Sequence, residues 1–241
     1  FDIAPSRTAA QNITGWNLLK AALPASGAES VFPPGTLQFN GPLDMTEGVV
    51  DAPLWIHGAG PYATVISITG GSGHGFDLTG GNYRKISDLT LQADAVGLLA
   101  GVFMSRDSAG RESSFNRLER MRIINGTNDW SVALYMYGAE SNVTDHVILA
   151  APISLAVTST NLYSFTSTFK TVASGGQSTS YDQFFTSTFI QRSAGSDDAA
   201  IVLNQIDSLS FYSPLITTRT AALGSAIKVR QSTAGSQELL L

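Results

Sequence analysis

The amino-acid sequence predicts an all-β chain, a right-handed parallel β-helix (a solenoid of stacked coils) with a short N-terminal capping helix. Three observations predict it. A short apolar pattern, Ile86-Ser-Asp88-Leu89-Thr-Leu91, returns as Leu118-Glu-Arg120-Met121-Arg-Ile123 and as Ile206-Asp-Ser208-Leu209-Ser-Phe211, with looser copies at Val143–Ile148 and Leu162–Phe165. A second set interleaves with it at Phe76–Leu78, Val102–Met104, Val132–Leu134, Ile153–Leu155, Ile201–Leu203 and Ile227–Val229. Successive copies lie about 20 to 30 residues apart, the range of repeat architectures. Third, only 14% of residues are charged, with a net charge of −5 and 23 glycines among abundant Ser and Thr. Such a surface suits a β-rich extracellular or virion protein.

The elements follow in order. Asn12 to Leu23 is the one helix predicted, capped by Asn12 or Thr14, with Trp16, Leu19 and Leu23 at helical spacing and Pro24 as the stop. From Ser30 onward, short apolar alternations broken by Gly, Pro, Asn and Ser read as strands and turns. Residues 1–70 are assigned to the cap and first strands, and 71–241 to the coils. About seven coils are expected from Phe76 onward. Each supplies strands whose alternate residues point into a narrow interior, and stacking buries what one coil cannot. Ile86, Leu118, Val143, Leu162 and Ile206 are expected to form one inward ladder. Asp88, Asp145, Ser164 and Ser208 are expected at bends, because short polar side chains bond their own backbone in turns. The pentapeptide Phe-Thr-Ser-Thr-Phe occurs twice, at Phe165–Phe169 and Phe185–Phe189. A β-sandwich is the alternative, but it would carry more hairpin dipeptides at closer spacing.

Composition excludes several functions. There are no cysteines, so thiol catalysis, disulfides and Cys-based zinc sites are out. The acidic balance argues against nucleic acid. No apolar run approaches the roughly 18 residues of a membrane span, and nothing at the start resembles a signal peptide. The chain opens on Phe1, and Glu238-Leu-Leu-Leu241 reads as the start of another coil, ends that suggest a fragment or processed product.

The first 70 residues resemble the N-terminal part of pectate-lyase-like β-helix domains, especially those of bacteriophage tailspikes. The resemblance runs from Thr14-Gly-Trp-Asn-Leu-Leu-Lys-Ala-Ala-Leu23 through Val31-Phe-Pro-Pro-Gly-Thr36 and Phe39-Asn-Gly-Pro-Leu43 to Leu54-Trp-Ile-His-Gly-Ala-Gly60 and Thr64-Val-Ile66. It departs at the start, where Ser6-Arg-Thr-Ala-Ala-Gln-Asn12 replaces the family's acidic run. The resemblance implies a virion adhesin, trimerisation and saccharide recognition. It transfers no catalytic set.

Gly58-Ala-Gly60 lacks the third glycine and following helix of a dinucleotide loop, and the strand-like Thr64–Ile68 reads it as a turn. His57, His74 and His146 are scattered without carboxylates at metal-ligand spacing, so no metal and no cofactor is expected. The sequons at Asn12, Asn125 and Asn142 are at chance level, and no serine sits in a nucleophile elbow. The coil between Val102 and Val132 reads as the longest, with Arg106, Asp107, Arg111 and Glu112 on a protruding loop. If Val132, Leu134 and Met136 point inward, Tyr135 and Tyr137 point outward. Sugars dock on aromatic faces while charged groups fix their hydroxyls. Arg106, Arg111, Trp130, Tyr135 and Tyr137 are therefore the expected substrate-binding set. Glu112 and Asp129 are the acids first in line for catalysis, and Asp107 and Glu140 are also in reach of such a pairing. The alternative is that these aromatics pack under a loop or against another subunit.

The predicted function is a tailspike-like virion adhesin that recognises host surface polysaccharide, with cleavage of that polysaccharide left open. The alternatives are a purely structural β-helical virion or surface protein, or a secreted polysaccharide lyase or hydrolase. Expected partners are the polysaccharide, other virion proteins and further copies in a homotrimer, with no nucleic acid and no membrane insertion. The expected location is the virion or the extracellular space.

Overall fold

The computed structural model describes residues 2–46, 52–71, 73–175, 177, 179–192, 199–218, 225–230 and 238–240. Helix α1 spans Ala9–Ala21, three residues earlier than predicted. Neither Asn12 nor Thr14 caps it. Thr8 does, accepting from the Gln11 amide while the Gln11 side chain accepts from the Thr8 amide. This reciprocal box outcompetes a later start. Asn12 instead faces inward and bonds the Ala4 carbonyl at 3.2 Å and the Gln38 carbonyl at 3.0 Å, tying the tail to the first coil. Trp16 closes the end of the solenoid, fully buried and edge-on to Phe32 at 6.3 Å.

After the helix the chain winds as a parallel β-helix, right-handed as parallel crossovers are. Among the described residues three long parallel sheets of eight, seven and seven strands run along it, with a two-stranded pair, Ser113–Ser114 and Ala139–Glu140, beside them. Each coil contributes to the first sheet, then the second, then the third. The first coil does so with Ala28–Val31, Gly35–Phe39 and Leu43–Asp44. Stacking therefore begins at Ala28, well before Phe76. Glu238–Leu240 pairs with Ser208–Ser210 as a further strand of the first sheet, while Leu241 lies outside the described residues.

The first two copies of the sequence repeat are in register, with Ile86 opposite Leu118 and Leu91 opposite Ile123. Further along, the inward ladder slips from the predicted one. Leu118 is opposite Thr144 rather than Val143, and Thr144 is followed by Phe184 and Phe211. Val143 is half-buried opposite Arg117, Leu162 lies outside the strands, and Ile206 precedes its strand. The threonine at a core position hid the register. The third-sheet ladder is Leu43, Phe76, Val102, Leu134, Leu155, Ile201 and Ile227. The predicted set is displaced by two residues at Val132 and Ile153.

Two corners repeat from coil to coil with left-handed backbone. Between the first and second sheets, Asp88, Arg120, His146, Thr186 and Ser213 have φ of 58°, 45°, 53°, 45° and 53°. Of the four predicted bend residues only Asp88 sits here. Asp145 comes one residue too early, Ser208 starts a strand, and Ser164 lies in a long loop. Between the third and first sheets the same conformation recurs at Tyr83, Phe115, Ser141 and Tyr181.

Inside that second corner runs a polar ladder. The amide of Arg84 donates to Asn116 Oδ1 at 2.8 Å, that of Asn116 to Asn142 Oδ1 at 3.0 Å, and that of Asn142 to Asp182 Oδ1 at 2.9 Å. The steps are 32, 26 and 40 residues. The longest of these three therefore lies between Asn142 and Asp182, not in the Val102–Val132 stretch. It holds the segment 159–181.

Candidate functional site

The candidate site is the outer face of the third sheet, where that long segment folds back. Alternation along each strand sends Leu134 and Met136 inward and Tyr135 and Tyr137 outward, as expected. One outward column runs Asp44, Asp77, Phe103, Tyr135, Ala156 and Val202. The next contains Ser105, Tyr137, Thr158 and Asn204.

Segment 159–181 covers this face. It runs antiparallel to the loop 106–112 at Asp107 and Val172, with the Ser108 amide donating to Thr171 O at 2.7 Å and the Ala173 amide to Arg106 O at 3.0 Å. Phe165 is its anchor, 5.1 Å edge-on from Tyr135 and 6.4 Å from Phe103. Tyr163 adds a second edge-on contact to Tyr135 at 5.4 Å. The Tyr135 hydroxyl donates to Asn161 Oδ1 at 3.3 Å and accepts from Thr158 at 3.1 Å, and burial pushes its pKa up to about 12. Tyr137 donates to Ala173 O at 2.8 Å, and burial raises its pKa too.

Each predicted site residue now has a place. Tyr135 and Tyr137 are both fully buried, so their rings pack the overlying segment instead of meeting solvent. Trp130 points into the core, its Nε1 donating to Ile124 O at 2.9 Å. It precedes its strand at the corner, where strand alternation does not apply. Arg106 pairs with Glu112 and donates to Gln177 Oε1 at 2.9 Å. Arg111 pairs with Asp107 at 3.0 Å. The acids do not meet as a pair. Exposed Asp129 accepts from Asn125 before the six-residue strand Val132–Tyr137, whereas Glu112 sits by Arg106, beyond the opposite end of the neighbouring strand. Six residues of strand span about 20 Å, beyond the roughly 5–10 Å of a glycosidase pair.

Other groups gather there: His74 and Asp107, already weighed in the sequence, and Asp77, which no motif singles out. His74 stacks on Phe103 at 4.2 Å. Its Nδ1 accepts from the Ala100 amide at 3.2 Å, which fixes the tautomer so that Nε2 donates to Thr166 O at 3.0 Å. Burial lowers its pKa, against the pull of Asp77. Asp77 is fully buried; Oδ1 accepts from the Thr79 amide and hydroxyl, while Oδ2 has no hydrogen-bond partner among the described residues. Buried Asp107 accepts from Arg111 and lies 3.8 Å from Lys170 Nζ. Between Asn161 and Ala173 the segment encloses an open cleft of about 480 Å³, lined by Phe165, Phe169, Lys170 and several hydroxyls. The repeated pentapeptide was the available signal. One copy, Phe185–Phe189, joins strands of the first and second sheets, whereas the other, Phe165–Phe169, lies outside the strands.

Among the described residues no cluster of three His, Asp or Glu could hold a metal ion, and no helix is long and apolar enough to cross a membrane.

No family model and no curated protein matches the chain. Solved structures do. A protein of Geobacillus virus E2, ORF18, aligns with TM-score 0.59 at 10% identity over 87% of this chain and 40% of that one. Pectate lyase Pel9A aligns with TM-score 0.52 at 14% identity over 98% and 56%, and the PL6 family alginate lyase AlyGC with 0.53 at 14% over 90% and 33%. The chain thus spans from about a third to just over half of these proteins. At such identities the likeness is one of architecture: the chain has the parallel β-helix fold that these proteins share.

Proposed function

We propose that this chain is part of a tailspike-like virion adhesin that binds a host-cell surface polysaccharide. The observation that carries this reading is the cleft of segment 159–181 on the outer face of the third sheet. Exposed Phe169 stands there over buried Phe165, with Asn161, Ser167, Thr168 and Thr171 around it. An apolar ring face beside convergent hydroxyl and amide groups is what a sugar chain requires. The likeness to a viral protein and to enzymes named for acting on pectate and alginate supports the same reading. A virion or extracellular location goes with it. So does a homotrimer with contacts to other virion proteins, for which the second sheet offers half-buried Ile124, Ile148 and Ile190 and exposed Leu215.

The structural-shaft reading has an observation of its own. Tyr135 and Tyr137 are covered by their own chain, and Arg106, Arg111 and Glu112 are already paired. One experiment separates the readings. The full-length protein is incubated with bacterial capsular polysaccharides, lipopolysaccharide O-chains, alginate and polygalacturonate, following binding by sedimentation and chain length by size exclusion. Binding to at least one polymer is expected, and shortening of that polymer would add catalysis. No binding to any polymer leaves the shaft reading standing in its place.

A further inference from the structure

A second aromatic surface lies outside the covered face, at the corner between the third and first sheets. Tyr83, Phe115, Ser141 and Tyr181 each come just before a rung of the Arg84–Asn116–Asn142–Asp182 ladder, so they stack as one column, one per coil. All four have φ between 56° and 58°. Glycine or asparagine adopts that conformation readily, whereas a bulky side chain there is strained. The three aromatics are nevertheless exposed, by 44%, 56% and 60% for Tyr83, Phe115 and Tyr181. Folding gains little from burying them, so their presence at a strained position calls for a use in solution.

The column has a gap. Tyr83 and Phe115 are parallel, 5.3 Å apart with planes 9° from one another, so their stacking direction follows the solenoid axis. The next position holds Ser141, and Tyr181 stands one coil beyond. One face of Phe115 is therefore left open towards Tyr181. Two coil steps measure about 10 Å. A single pyranose, in contact on each face at about 3.5–4.0 Å, fits such a gap. Half-buried Ser141, the residue of the column between Phe115 and Tyr181, lies at its floor and brings a hydroxyl there.

We propose that Phe115 and Tyr181 form a slot for one sugar ring of a polysaccharide chain, floored by Ser141. The slot rests on the reading that this protein binds polysaccharide, and it lies apart from the cleft of segment 159–181. Stacking between two aromatic faces recognises the apolar C–H surface of a pyranose.

The test uses two variants of the full-length protein. Tyr181→Ala removes one wall. Ser141→Phe fills the gap with the residue that Phe115 already places at the same backbone conformation. Probes are fluorescein-labelled oligosaccharides cut from bacterial capsular polysaccharide, lipopolysaccharide O-chains, alginate and polygalacturonate. Tyr181→Ala should weaken binding about five-fold or more, and Ser141→Phe should reduce it to background, both with unchanged melting. If either well-folded variant binds as tightly as the unaltered protein, the slot is wrong while the polysaccharide reading survives. If the unaltered protein binds none of the probes, both fail. Should Ser141→Phe melt early, Tyr181→Ala decides alone. A loss of oligomer mass in Tyr181→Ala, seen by light scattering, would overturn the slot and make the ridge a subunit contact.

Discussion

Replacing Leu134 with Asp is expected to lower the melting temperature by roughly 10 °C or more. Leu134 is fully buried in the third-sheet ladder between Val102 and Leu155. The change removes a packed aliphatic side chain, worth about 2–5 kcal/mol. It also puts an unpaired carboxyl in an apolar interior at further cost. For a chain of this size each kcal/mol is worth about 2–4 °C. Tyr135→Ala should behave differently. Tyr135 is equally buried, but against Phe103, Tyr163 and Phe165 on the outside of the sheet. Its loss should loosen segment 159–181 and leave the main melt much less affected. Thermal melting with limited proteolysis checks both. A larger drop for Tyr135→Ala than for Leu134→Asp would invert the inward and outward faces of this strand.

The second large effect is a gain. Asp182 ends the ladder that Asn116 and Asn142 begin, with its carboxyl enclosed and Oδ2 without a partner among the described residues. Burial pushes its pKa up to about 8, against the opposing bonds from Asn142. In the unfolded chain the same carboxyl titrates near 4. Between those values the folded state holds a proton that the unfolded state has released, so stability falls as pH rises, by about 1.4 kcal/mol per pH unit. Below about pH 4 both states are protonated and the penalty vanishes. Asp182→Asn keeps the acceptor for Asn142 and removes the titration. Asn142 donates through its Nδ2 to the Ser113 carbonyl. In the next coil Ala139 takes the place of Ser113; its carbonyl accepts from the Ser180 amide at 3.2 Å and has a second lone pair for an asparagine at 182. The variant should melt higher than the unaltered protein at pH 8, by several kcal/mol in stability, and match it near pH 4. Melting curves at pH 4, 6 and 8 decide. An unchanged pH dependence would mean that Asp182 is ionised and accommodated in the fold.

The architecture was legible because apolar alternation and period survive in the sequence. Copies at Ile86 and Leu118 fixed the true register. The pattern failed where chemistry substituted for hydrophobicity. Thr144 fills an inward rung, and Val143 beside it looked the better candidate. The site was legible only in direction. Alternation correctly turned Tyr135 and Tyr137 outward, but nothing local shows that a segment more than 20 residues later covers them. Trp130 looked like part of the same exposed stripe and is core, because a corner resets which way side chains point. His74 gained its surroundings from Thr166 and Phe103, contacts that no spacing rule encodes.

Ladder steps of 26 and 40 residues meet the same rungs without disturbing strand pairing on either side. Length is therefore uncoupled from registration at the corner between the third and first sheets. That corner acts as a splice point, where a peptide of different size and chemistry can be exchanged while the scaffold beneath is conserved in shape. If the chain binds polysaccharide as proposed, exchanging this one cassette would change its specificity, and a loop grafted between Thr158 and Asp182 would test that.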